Sequence, residues 1–133
     1  MFKEFAVWLC AMVPGLTRGV NLQVGFRAQD APVRCHTLLD SGGPADFDLA
    51  YRTDMMLQVA TRGETIVQAR DDAWTIYSAI HGTSGWTIGP LVSGGQQYKI
   101  WSIGALAKPQ YIGIGEQGGF EYSTNYLLHV SPA

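Results

Sequence analysis

The stretch "TRGETIVQARDDAWTIYSAIHG" (Thr61–Gly82) decides the fold. Ile66, Ala69, Ala73, Ile76, Tyr77 and Ile80 recur at helical spacing, and Gln68, Asp71, Asp72, Thr75 and Ser78 fill the opposite face. Thr61 and Glu64 fit a capping box, in which Thr accepts from an orphan N–H and Glu reaches back. His81 suits the negative end of the helix dipole, and Gly82 suits the left-handed position after it. The spacing predicts a helix over about 62–81. A helix with one apolar stripe needs one sheet to lie on.

That sheet is written on both sides of the helix. Short apolar runs bounded by turn residues predict strands at 20–26, 33–39 and 55–61. Strands at 86–92 and 97–106 follow the helix, the first interrupted by Gly89-Pro90. "QYIGIG" (110–115), a turn at 116–119 and "FEYSTNYLLHV" (120–130) predict a C-terminal β-hairpin over about 110–130. In its last strand Phe120, Tyr122, Thr124, Tyr126, Leu128 and Val130 face one way. At the other end, Phe2–Val13 predicts a first helix stopped by Pro14-Gly15. Its circumference is nearly all apolar, so it needs cover on several sides, one of which another subunit can supply. The expected fold is a single α+β domain over 1–133: a mostly antiparallel sheet with two helices packed against it.

The 133 residues carry 47% hydrophobic and only 15% charged side chains, with a net charge of −2. The hydrophobic share excludes a disordered chain. The charge share falls below the usual ~25%, which leaves much surface uncharged and suited to cover by partners. With no Lys/Arg cluster, specific nucleic-acid binding is disfavoured. The apolar run Phe5–Val13 is too short to span a bilayer. As a signal peptide it is poor, because Glu4 offsets Lys3 and no small-residue cleavage site follows. Cys10 and Cys35 stand far apart in no metal spacing; one buried disulfide is the alternative, and two free, buried thiols are the expected state in a reducing compartment.

Three patterns invite a chemical reading. "LLDSGGP" (38–44) contains Asp40-Ser41-Gly42-Gly43-Pro44, the string that surrounds the nucleophile of chymotrypsin-like proteases. A serine nucleophile needs a base and an orienting acid. Only His36 precedes Ser41, and the chain is too short for two six-stranded barrels. "GIGEQG" (113–118) satisfies G-x-G-x-x-G, but period-two alternation follows it where a helix is required. His36, His81 and His129 have no metal-site spacing to one another or to a cysteine. No catalytic residue, cofactor or metal is therefore expected. A small hydrolase or nucleotide-binding enzyme, and a ligand-binding module on the aromatic last strand, are the weaker alternatives. The loop from Asp40 to Asp54, with Gly42, Gly43, Pro44, Asp46 and Asp48, has the length of a functional loop.

Taken together, "LLDSGGPADFDL", "MMLQVATRGETIVQARDDAWTIYSAIHG" and "ALAKPQYIGIGEQGGFEYSTNYLLHV" resemble a family of small phage proteins. These are the tail terminators, or minor capsid (tail-to-head joining) proteins, of long-tailed bacteriophages. The shared features are an Asp-x-Gly-Gly-Pro loop, an Arg62-Gly63 turn into a helix ending His-Gly, a Pro109–Gly113 strand and an aromatic final strand. The resemblance implies a structural virion protein assembled in the bacterial cytoplasm. It would form a homo-oligomeric ring, usually of six copies, that caps the tail tube and offers the head a docking surface. Partners would be the tail tube protein and head–tail connector proteins, with DNA passing through the lumen unbound. A neighbouring neck or tail-tube role is the alternative within this class. Ser41, Gly42, Gly43, Pro44, Asp46, Phe47 and Asp48, with Glu116, Gln117 and Gly118 in the hairpin turn, are the expected contacts to ring neighbours or partners. Asp46 and Asp48 can also face the lumen, where acids would keep DNA sliding.

Overall fold

A computed structural model describes residues 1–27, 30–42, 53–115 and 118–133. In chain order the elements are α1 (Phe2–Met12), β1 (Leu22–Val24), β2 (Cys35–Asp40), β3 (Thr53–Gly63), α2 (Ile66–Ile80), β4 (Ser84–Ile88), β5 (Tyr98–Ala105), β6 (Gln110–Ile114) and β7 (Phe120–Pro132). The strands form one sheet in the order β1-β2-β3-β7-β5-β4, and β6 pairs with β7. The β1–β2 pair is parallel and the other pairs are antiparallel. The fold is α+β.

The last strand organises the sheet. β3 runs along one edge of β7 from Phe120 to Val130. The other edge is divided, with β6 on Phe120–Ser123 and β5 on Tyr126–Pro132. Tyr122, Thr124, Tyr126, Leu128 and Val130 are all buried, as the alternation requires. Leu38, Leu57, Val59, Ile100 and Ile103 lie on the same face. Phe5 and Leu9 of α1 and Ile76 and Ile80 of α2 close that core. Burying a large apolar side chain stabilises by about 1.5–3 kcal/mol, so this layer holds the fold.

The junction between β3 and α2 differs from the expectation. Thr61 does not cap the helix: it is buried within β3, opposite Tyr122. The ladder continues through Gly63, and the cap is Thr65, whose hydroxyl accepts from the Gln68 N–H at 3.1 Å. Gln68 Oε1 in turn accepts from the Glu64 N–H at 2.9 Å. The capping residues are one Thr later and use Gln in place of Glu, because strand pairing to β7 outcompetes an earlier helix start. Arg62-Gly63 is likewise the end of a strand, not a turn. Gly63 is needed there: a Cβ would sit 2.7 Å from the Ala69 backbone nitrogen.

At its other end α2 stops at His81, with Gly82 at φ +78° in the left-handed region. His81 Nδ1 accepts the Ala105 N–H at 2.9 Å, so this ring ties the helix end to β5 as an acceptor and not as a dipole-facing cation. Among the described residues, no helix is long and apolar enough to cross a membrane.

Candidate functional site

The chain leaves β2 through an Asx turn, in which Asp40 Oδ1 accepts the Gly42 N–H at 2.7 Å. Gly42 takes φ +81°. Ser41 and Gly42 still pair with β3: the Ser41 N–H donates to Met56 O at 2.9 Å, and the Met56 N–H donates to Gly42 O at 2.8 Å. Ser41 is exposed. His36 lies five residues back along the same strand, roughly 16 Å away at the rise of an extended chain. It is buried on the core face, and its Nδ1 pairs with Thr61 Oγ1 at 2.8 Å. The structure separates the two groups that a Ser41 nucleophile would need. Gly43, Pro44, Asp46, Phe47 and Asp48 fall outside the described residues, so their assignment as contacts stays an expectation.

The second candidate stretch is the β6–β7 turn. The Gly115 N–H donates to Gly119 O at 2.8 Å, and Gly113 and Gly118 take φ of +120° and +76°. The glycines of the G-x-G-x-x-G string therefore shape a hairpin, and β7 stands where a dinucleotide site requires a helix. Gly118 is exposed at the turn. Glu116 and Gln117 lie outside the described residues.

Three features were not read from the sequence. The first is β6, which carries exposed Tyr111, Ile112 and Ile114 on a strand that, among the described residues, is paired along one side only. The Tyr111 ring lies 5.6 Å from Tyr122. Tyr122 belongs to a thin satellite core with Ala69, Ala73 and Phe120. In the first turn of α2, Ile66 and Val67 are also exposed. Apolar side chains exposed on a sheet edge are of the kind that suits cover by another chain.

The second is Arg62, which is only 2% exposed. Its guanidinium donates to Val33 O at 2.9 Å and Pro32 O at 3.1 Å, which straps the segment before β2 over the back of the sheet. The third is a row on that back face. Asp54, His129 and Ser102 are cross-strand neighbours on β3, β7 and β5. The Asp54 carboxylate pairs with His129 Nδ1. Ser102 and His129 also line a shallow cavity of about 240 Å³ with Leu106 and Leu127. The row has the composition of a serine triad. Among the described hydrogen bonds, none joins the Ser102 hydroxyl to the imidazole, so the nucleophile–base link is missing.

A larger polar cavity of about 360 Å³ lies between the Pro14-Gly15 turn, the start of β2 and α2. Arg34 and Asp72 face each other there in a two-bond pair at 2.8 and 2.9 Å, and His36 lines it. Burial holds the His36 imidazole well below its ordinary range, at about 4. The Asp72 carboxylate opposes that shift in part, and the Arg34 guanidinium adds to it. The ring is neutral at pH 7. Cys10 and Cys35 are free thiols, Cys35 buried. Among the described residues, no group of three His, Cys, Asp or Glu side chains could hold a metal.

These surfaces define an α+β protein with uncovered apolar strand edges and chain exits shaped by glycine turns. Residues 27–132 match a family model described as bacteriophage tail terminator protein. The match spans most of the chain, which therefore belongs to the bacteriophage tail terminator family and is a structural protein of the phage tail. No curated protein matches the chain.

Proposed function

We propose that the chain caps the tail tube as a ring of identical subunits, six in number, and presents the head with its docking surface. The observation that carries this is the family match over residues 27–132. Uncovered Tyr111, Ile112 and Ile114 on an edge strand support assembly, as does the low overall charge. The subunit works by contact and not by catalysis. Its partners are other copies, the tail tube and the connector proteins, and it assembles in the host cytoplasm. With a net charge of −2 and no cationic cluster in the sequence, the ring lets DNA pass without gripping phosphates.

Imaging of tails carrying a labelled copy tests the placement. Label once per tail, at the head-proximal end of the tube, is the expected result. Label repeating along the tail would assign the chain to the tube instead.

A further inference from the structure

We propose that Leu91 and Val92, at the tip of the loop between β4 and β5, form the knob by which one copy of this chain grips the next, and that the exposed apolar side chains of β6 on that second copy are its seat. This deepens, and rests on, the ring proposed above. The two surfaces share a chemistry. Val92 is 69% exposed, and Leu91 is exposed beside it. On β6, Ile114 is 65% exposed, and Tyr111 and Ile112 are also open to solvent. Residues 83–98 and 110–115 contain no charged side chain. Bringing the two together buries apolar area without stripping water from an ion.

The tip is held in shape before it meets a partner. The Gly95 N–H donates to Val92 O at 2.9 Å, which closes a turn, and Gly94 takes φ +79° within it. Pro90 and Val92 both close on Gly95: a Cβ placed there would stand 3.3 Å from Pro90 Cβ and 3.4 Å from Val92 Cγ2. A tip with its backbone already fixed loses little freedom on binding.

The placement of the two surfaces decides what joins them. Ile88, where the loop begins, pairs with Tyr98, and Tyr98 pairs with Pro132 at the end of β7. Ile114 pairs with Phe120 at the start of β7. Those two ends of β7 lie roughly 40 Å apart at the rise of an extended strand. A knob cannot reach the seat of its own chain over that length. A head-to-tail contact between copies needs two different surfaces on one chain, and repetition of that contact closes a ring. Knob and seat, at opposite ends of one strand, meet that requirement.

Native mass across a concentration series tests the contact on the full chain. Val92→Asp puts a charge on the knob and Ile114→Lys puts one on the seat. Each variant alone should need a roughly tenfold or higher concentration to assemble. An equimolar mixture of the two should recover assembly, because alternating copies set an unaltered knob on an unaltered seat and the aspartate on the lysine. Val20→Asp, at a 55% exposed apolar position outside the contact, should assemble like the unaltered protein. Val92→Ser, the gentler change, should shift assembly in the same direction by less. An unchanged melting temperature in each variant confirms folding. Assembly of Val92→Asp or Ile114→Lys at the unaltered concentration overturns the proposal. A mixture no better than its components also overturns it, as does a Val20→Asp loss equal to that of Val92→Asp. Failure of the ring reading shows in the unaltered chain, which would stay monomeric even with tube ends present and take this contact down with it. Intact rings in the charged variants overturn the contact alone.

Discussion

His36 is a titratable ring held in a buried site. Burial lowers its pKa from 6.5 to about 4, so the unfolded chain binds the proton more readily. The stability that the neutral ring contributes is complete above pH 6.5 and is lost as pH falls toward 4. The gap corresponds to about 3 kcal/mol. His36→Gln should flatten the dependence of melting temperature on pH across this window. An unchanged slope would locate the acid sensitivity elsewhere. The two serines give a chemical test at the same scale. Ser41→Ala and Ser102→Ala should leave the fold intact, and the unaltered protein should not react with a fluorophosphonate probe. Labelling lost in either variant would make that serine a nucleophile. The sequence already argued against Ser41, because only one histidine precedes it. It could not show Asp54, His129 and Ser102 in a row, since that row depends on the register of three strands distant in sequence.

Among the elements, α2 and β7 were legible because each has one buried face, and burial imposes a period on the sequence. Ala69, Ala73, Ile76 and Ile80 of α2 are buried, as are the alternate residues of β7 from Tyr122 to Val130. The start of α2 was misplaced because Thr61 and Thr65 are both plausible caps. Only the pairing of β3 with β7 decides between them. Thr65→Ala should therefore cost about 1 kcal/mol, read as a fall in melting temperature of about 4 °C. Thr61→Ala should leave the helix start in place. Gly63→Ala should cost about 2 kcal/mol, because its Cβ meets backbone that cannot yield cheaply. Thermal unfolding checks all three, and a silent Gly63→Ala would mean that the strand–helix junction can shift. The parallel β1–β2 pair and the edge role of β6 left no local trace, since they are fixed by topology and not by any pattern in their own few residues.

At the scale of the molecule, the sheet has one face filled by two helices and, among the described residues, edges that stay uncovered. α1 shows the same imbalance: Phe5, Ala6 and Leu9 are buried, while Val7 is 44% exposed and Ala11 is exposed. A monomer in water gains nothing from this surface, whereas the proposed ring would bury part of it. The apolar excess of α1 was legible in the sequence, and part of it stays exposed in the single chain. Which surfaces meet was not legible, because an interface is specified by the shape of two copies together. The native mass of the purified protein, alone and with tail tubes, is the direct test of ring formation. The expected result is a closed oligomer that binds tube ends and stops their growth. A strict monomer that never binds tubes would contradict it.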